Sequence, residues 1–277
     1  LVRVAVSKHV RSGRCERASD ALTMLLQRNI LPSVPLPLLR ASPGEFRREF
    51  MYRRDVEEEL RRANSSLQAL FEKYSTVVRA QDDGKQSFTN WSMMSFAQWS
   101  RLLQDFGLMG PCALHKGQAT QAFLLGKMCV VDEFRGSRKM AQLHYPDFLE
   151  ALLRIFCMFP APSDAQLQIH GAVDTPDLFG ILLEQQTLDK WLKDNAVEWD
   201  GSFSDSFQNS VLHKVQRLLQ LMIACADVNG SGRIDKDDIR RFGQGNSHGW
   251  QRVLKERRDK MLRTGVMPKG YGRDGLS

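Results

Sequence analysis

The sequence predicts an all-α protein, with two helical lobes carried between an extended N-terminal arm and a basic C-terminal tail. Three observations lead there. Apolar residues recur at helical spacing through the middle of the chain, strand-type alternation is sparse, and glycine, proline and polar clusters interrupt the helical pattern at intervals. At 277 residues with 42% hydrophobic side chains, the chain is long and apolar enough for real cores.

Residues 1–54 form the arm, where basic residues precede a proline-rich stretch, LPSVPLPLLRASPG, that favours an extended path. From Asp55, the residues Val56, Leu60, Ala63, Leu67, Leu70 and Tyr74 mark one helix face, with Glu57 to Glu59 near its positive end. AQDDGKQSFTNWS breaks that helix. A second helix starts near Ser95 with Phe96, Trp99, Leu102, Leu103 and Phe106, and ends at Gly107 or Gly110. Helices over about 120–131 and 146–159 complete a first lobe, residues 55–160. PAPSD then marks a hinge, with Ser163 or Asp164 placed to cap the next helix. The second lobe, 161–245, holds helices over 176–195, 206–226 and 236–242, and residues 246–277 are the tail.

The formal charge is +7, and the tail residues 251–277 carry eight Lys/Arg against three Asp/Glu, most of the excess. Such charge favours an acidic partner. Five scattered cysteines without a C-x-x-C pair suggest free thiols rather than disulfides or a zinc knuckle. No apolar stretch reaches the length of a membrane span, since Leu149 to Phe159 is short and carries Arg154. The basic opening, LVRVAVSKHVRSGRCERAS, has a transit-like composition that Glu16 and Asp20 interrupt.

The most informative stretch is DVNGSGRIDKDD, residues 227–238. A calcium loop of twelve residues supplies oxygens from its first, third, fifth, seventh, ninth and twelfth positions, with glycine at the sixth for a sharp turn. Those positions are Asp227, Asn229, Ser231, the carbonyl of Arg233, Asp235 and Asp238, with Gly232 at the turn and apolar Ile234 at the eighth. The preceding helix gathers Val211, Leu212, Val215, Leu218, Leu219, Met222 and Ile223 on one face. This resembles the EF-hand superfamily, specifically over residues 208–243. It departs from the usual pattern at Ser231, where Asp or Asn is common, and at Asp238, where Glu is common. The shorter Asp reaches an ion less readily with both oxygens, which weakens calcium and helps magnesium.

The resemblance implies that such loops come in pairs. Met94 with Gln98, and Leu143 with Asp147 and Phe148, fit the exiting halves of two further loops. Counting back from each apolar position gives Ser87 and Gly136 where an aspartate should begin, so residues 55–160 read as a degenerate pair that holds no cation. The direct partner of the 227–238 loop is expected around Glu198 to Phe207, in a form that does not fit the twelve-residue template.

Other signals carry less. GNSHG, residues 245–249, matches a nucleophile-elbow pattern without the strand that should precede it, and a flexible joint is the better reading. The six histidines are isolated from one another. The methionines fit core filling better than an adaptable groove. The expected protein is therefore not an enzyme, has no small-molecule substrate, and binds Ca2+, or Mg2+ because of Asp238. It docks on an acidic protein surface in a larger assembly, with tubulin in a cytoskeletal or ciliary setting as one candidate. Nucleic acid is not expected, for want of interleaved aromatics or a base-reading module. The alternatives are a calcium sensor that opens a helix pair, and an accessory subunit of an organellar complex with no working metal site.

Overall fold

The computed structural model describes residues 2–30, 43–82, 85–127, 141–197, 205–242 and 249–266. The chain divides into a small unit, Leu1–Phe46, and a large one, Arg47–Trp199 with Phe203–Ser277. The fold is predominantly helical with one small sheet. No helix among the described residues is long and apolar enough to cross a membrane.

In the small unit, α1 (Val2–Ala5) runs on in wider turns over Val6–Val10, and α2 (Ala18–Leu25) does the same over Leu26–Ile30. Ala5, Ala21 and Leu25 are buried together, with Val10, Cys15 and Leu22 packed against them. The arm is thus helical over these residues rather than extended, because a short apolar stripe on each segment finds the other. A further helical turn, α3, spans Pro43–Phe46. The proline-rich stretch over 31–42 lies outside the described residues.

The large unit opens with a helical turn, Arg47–Met51, followed by α4 (Arg54–Arg62) and α5 (Asn64–Tyr74). The chain breaks at Ala63, yet Val56, Leu60, Ala63, Leu67, Leu70 and Tyr74 are all buried, so the expected stripe survives as one face. Strands β1 (Thr76–Asp82) and β2 (Lys85–Ser95) form an antiparallel hairpin where sequence periodicity suggested only a polar break. The β-branched run Thr76-Val77-Val78 is a local reason. The far end of β2 pairs with β3 (Gln142–Leu143), Met94 opposite Leu143 and Ser95 opposite Gln142.

Ser95 caps α6 (Phe96–Asp105): its Oγ accepts from the Gln98 N–H, and the Gln98 Oε1 accepts from the Ser95 N–H at 2.7 Å. Helices α7 (Lys116–Gly126) and α8 (Tyr145–Met158) pack tightly, and a Cβ on Gly126 would lie 3.0 Å from the Ala151 nitrogen. The α8 helix is the central element. Every residue from Ala151 to Met158 is buried, Arg154 included, and that guanidinium donates to Glu150 at 2.7 Å while Glu150 also accepts from Arg47 at 2.7 Å. Trp99 packs edge to face on Phe148 of this helix, and Phe71 packs on the same ring at a tilt of 45°.

After Pro160, α9 (Asp164–Ile169) is capped by Ser163. The helix expected over 176–195 is two, α10 (Thr175–Glu184) and α11 (Leu188–Asp194), separated where Gln186 takes φ 56°. The long α12 (Asp205–Ala226) packs on α4, α8 and α10, α13 (Lys236–Arg241) packs on α5, and α14 (Gly249–Thr264) lies against α10 and α12. Over Gly249–Thr264 the expected tail is therefore a docked helix, with Trp250 and Leu254 buried. Met93, Met94, Met158 and Met222 fill the core.

Candidate metal centre

The 227–238 loop joins α12 to α13. Gly232, at the sixth position, has φ 80°, and Gly230 has φ 71°, so both occupy the left-handed region that side chains resist. These two turns fold the loop back around its first aspartate. The Asp227 carboxylate accepts from the Ser231 N–H at 3.0 Å and from the Gly232 N–H at 2.6 Å. Ser231 Oγ donates to the Arg233 carbonyl at 2.9 Å.

At the other end Asp235 caps α13, accepting from the N–H groups of Asp237 and Asp238 at 2.8 Å each. Asp238 returns the bond, accepting from the Asp235 N–H at 3.1 Å, and its second oxygen accepts from the Val228 N–H at 3.1 Å. Asp238 thereby closes the loop on itself and is fully buried. Asn229 reaches Asp235 at 3.5 Å and Arg241 at 3.4 Å. All six expected donors therefore lie within one hydrogen-bonded loop.

Burial, and then the neighbouring charges of Asp235 and Asp227, push the Asp238 carboxyl above the ordinary carboxylate range, against the bonds from backbone N–H groups. Asp235 moves the opposite way, held down chiefly by the Asp238 N–H. A buried carboxylate that feels two others fits a cation in kind. In the geometry described, however, the carboxylates face backbone N–H groups. Among the described residues no three His, Cys, Asp or Glu side chains stand close enough together to hold a metal.

The loop is strapped to the first half of the large unit. The Ile234 N–H donates to Ser66 Oγ on α5 at 3.0 Å, where a neighbouring loop was expected. Lys73, also on α5, donates from Nζ to the carbonyls of Ile239 and Phe242 at the end of α13. Phe242 in turn stacks on Phe106 with ring centres 4.6 Å apart. Ser66 and Lys73 were not legible as site residues. The one sequence signal was a small hydroxyl set into the apolar face of α5.

Beside the loop lies a cavity of about 400 Å³. It is lined by Asp227, Asn229 and Gly232 of the loop, by Asp174, Pro176 and Ile223, and by Val253, Glu256, Arg257 and Lys260 of α14.

The expected partner loop around 198–207 lies mostly outside the described residues, as do Gly136, the side chain of Ser87 and most of GNSHG. Met94 and Leu143, the expected eighth positions of the degenerate loops, are direct antiparallel partners, and each precedes a capped helix. In comparisons with protein-family models, curated proteins and solved structures, nothing matches this chain.

Proposed function

We propose that the chain is a non-enzymatic, EF-hand-like protein that binds a divalent cation in its 227–238 loop and docks within a larger assembly. The observation that carries this reading is Asp238: a fully buried carboxylate, raised by burial and by two neighbouring carboxylates, at the closing position of a loop rich in oxygen donors. Asp227, Asn229, Ser231, Asp235 and Asp238 with the Arg233 carbonyl would hold Ca2+, or Mg2+ given the short Asp238. An ion there supplies a positive charge that offsets three carboxylates. The antiparallel pairing of Met94 with Leu143 supports reading 55–160 as a related pair without ligands.

A structural role is favoured over a sensor that opens. In an opening mechanism the exiting helix swings, whereas α13 is tied to α5 by Ser66, Lys73 and the stacking of Phe242 on Phe106. Docking on an acidic surface, tubulin among the candidates, rests on the excess positive charge.

Calorimetric titration with calcium, with and without millimolar magnesium and alongside Asp227→Ala, tests the metal site. Binding that disappears in the variant supports it, and absence of binding for either ion removes it. Co-sedimentation with microtubules at low salt tests the partner, and a protein left wholly in the supernatant excludes tubulin.

A further inference from the structure

The positive charge that favours an acidic partner is unevenly free in the structure. In α14, Arg252 pairs with Glu256 at 3.7 Å, Arg257 with Asp174 at 2.9 Å, and Arg258 with Asp177 at 2.6 Å and Glu184 at 3.1 Å. With Asp259 on the same helix, five carboxylates offset its six Lys and Arg. Little net charge is left there for a partner.

The small unit is different. Residues 2–30 carry six Lys and Arg against two Asp and Glu. Arg3, Lys8, Arg11, Arg14, Arg17 and Arg28 are all exposed, and among the described residues none of them forms an ion pair. Four of them lie on or beside the turn that joins the two helical segments, and the backbone fixes that turn. Gly13, at φ 72°, donates its N–H to the Val10 carbonyl at 2.9 Å, and the Arg14 N–H donates to the His9 carbonyl at 2.9 Å. Ser12 Oγ donates to the Lys8 carbonyl at 2.7 Å. Like charges on so short a segment repel, and the core beneath them consists of Ala5, Ala21 and Leu25. An anionic partner relieves that repulsion.

We propose that the N-terminal helical hairpin, through Lys8, Arg11, Arg14 and Arg17, is the surface by which this chain docks on a carboxylate-rich protein segment. The inference rests on the docking half of the proposed function and does not involve the 227–238 loop. Protein carboxylates fit this surface better than lipid or nucleic acid. A helix that settles on a lipid surface turns an apolar face toward it. Here the apolar face is turned inward, and only Val2 and Val4, at one end, are large apolar side chains exposed among the described residues of this hairpin. Single-stranded nucleic acid is held by aromatic stacking as well as charge, and residues 2–30 contain no Phe, Tyr or Trp. Three of the four cations are arginines, which pair with carboxylates through two parallel hydrogen bonds.

The test uses the full chain and a fluorescent oligo-glutamate peptide at physiological ionic strength, where exposed charges more than about 8 Å apart are largely screened. Arg11→Glu with Arg14→Glu should weaken binding about tenfold or more. Lys260→Glu with Arg263→Glu makes the same change in net charge on α14 and should weaken it less than about twofold. All four side chains are exposed, so folding is not at stake, and an unchanged circular dichroism spectrum checks that. Equal weakening by the two pairs, or a larger loss from the α14 pair, overturns the inference while leaving charge-driven docking standing. Tighter binding to phosphatidylserine vesicles or to duplex DNA than to the peptide, lost in the Arg11→Glu, Arg14→Glu variant, overturns the choice of partner. A peptide that the unsubstituted chain does not bind overturns the docking reading and the inference together.

Discussion

The backbone N–H of Ile234 is satisfied by the hydroxyl of Ser66, 168 residues earlier in the chain and 3.0 Å away. The bond is buried and has a definite consequence. Ser66→Ala leaves a buried N–H without its partner, which costs about 1–3 kcal/mol. Chemical denaturation should show that loss. A paired comparison with Ser66→Thr, which keeps the hydroxyl, should show less of it.

Acid should weaken the proposed cation site earlier than an ordinary aspartate would imply. The folded pKa of Asp238 is raised, so the cation-free fold gains from its protonation at low pH and loses that gain as pH rises through the raised value. A cation competes with that proton. Calcium affinity should therefore fall as pH is lowered through the raised value, beginning above the ordinary Asp value of about 3.9. Titrations at a series of pH values check this, and an affinity flat down to that ordinary value would contradict it.

Trp250 holds the start of α14 against Gly107, whose φ is 68° and whose missing side chain makes the room. A Cβ there would lie 2.3 Å from the indole. Gly107→Ala should cost at least about 1–2 kcal/mol from backbone strain alone, and Trp250→Ala about 3–5 kcal/mol from lost packing. Gly110→Ala is the control. Among the described residues, no atom beyond its chain neighbours lies within 4 Å of a Cβ at that position, so thermal unfolding should barely change.

Asp177 is 3% exposed on its side chain and accepts from both Arg258 and the Val173 N–H. Asp177→Ala strands that N–H and leaves Arg258 only its pairing with Glu184. The expected loss is about 2–4 kcal/mol, with faster hydrogen exchange in α14. Loss of stability without faster exchange there would mean that Asp177 supports only its own helix.

Helical periodicity made much of this architecture readable. The stripe from Val56 to Tyr74 and the face of α12 are buried as their spacing implied, with only Leu212 half-exposed. Periodicity failed where short segments depend on tertiary partners. Ala63 and Gln186 interrupt stripes that read as continuous, because a stripe records a buried face and not the backbone that carries it. The apolar spacing of Trp250, Val253 and Leu254 was present but diluted by six Lys and Arg residues in the same helix, so a docked helix read as a tail. The turns of the loop were legible because they need glycine, and Gly230 and Gly232 both take positive φ. The straps of the loop were not, since Ser66 and Lys73 meet it only through the fold.

The central claim is that the 227–238 loop takes a divalent cation without releasing α13 from α5. Amide NMR during a calcium titration of the full chain tests it most directly, because Gly232 and Ile234 report on the two sides of the claim. The account predicts a large, saturable shift of the Gly232 amide, which donates to Asp227, while the Ile234 amide keeps slow hydrogen exchange through its bond to Ser66. An unmoved Gly232 resonance at millimolar calcium, or rapid exchange at Ile234 in the loaded protein, would contradict it.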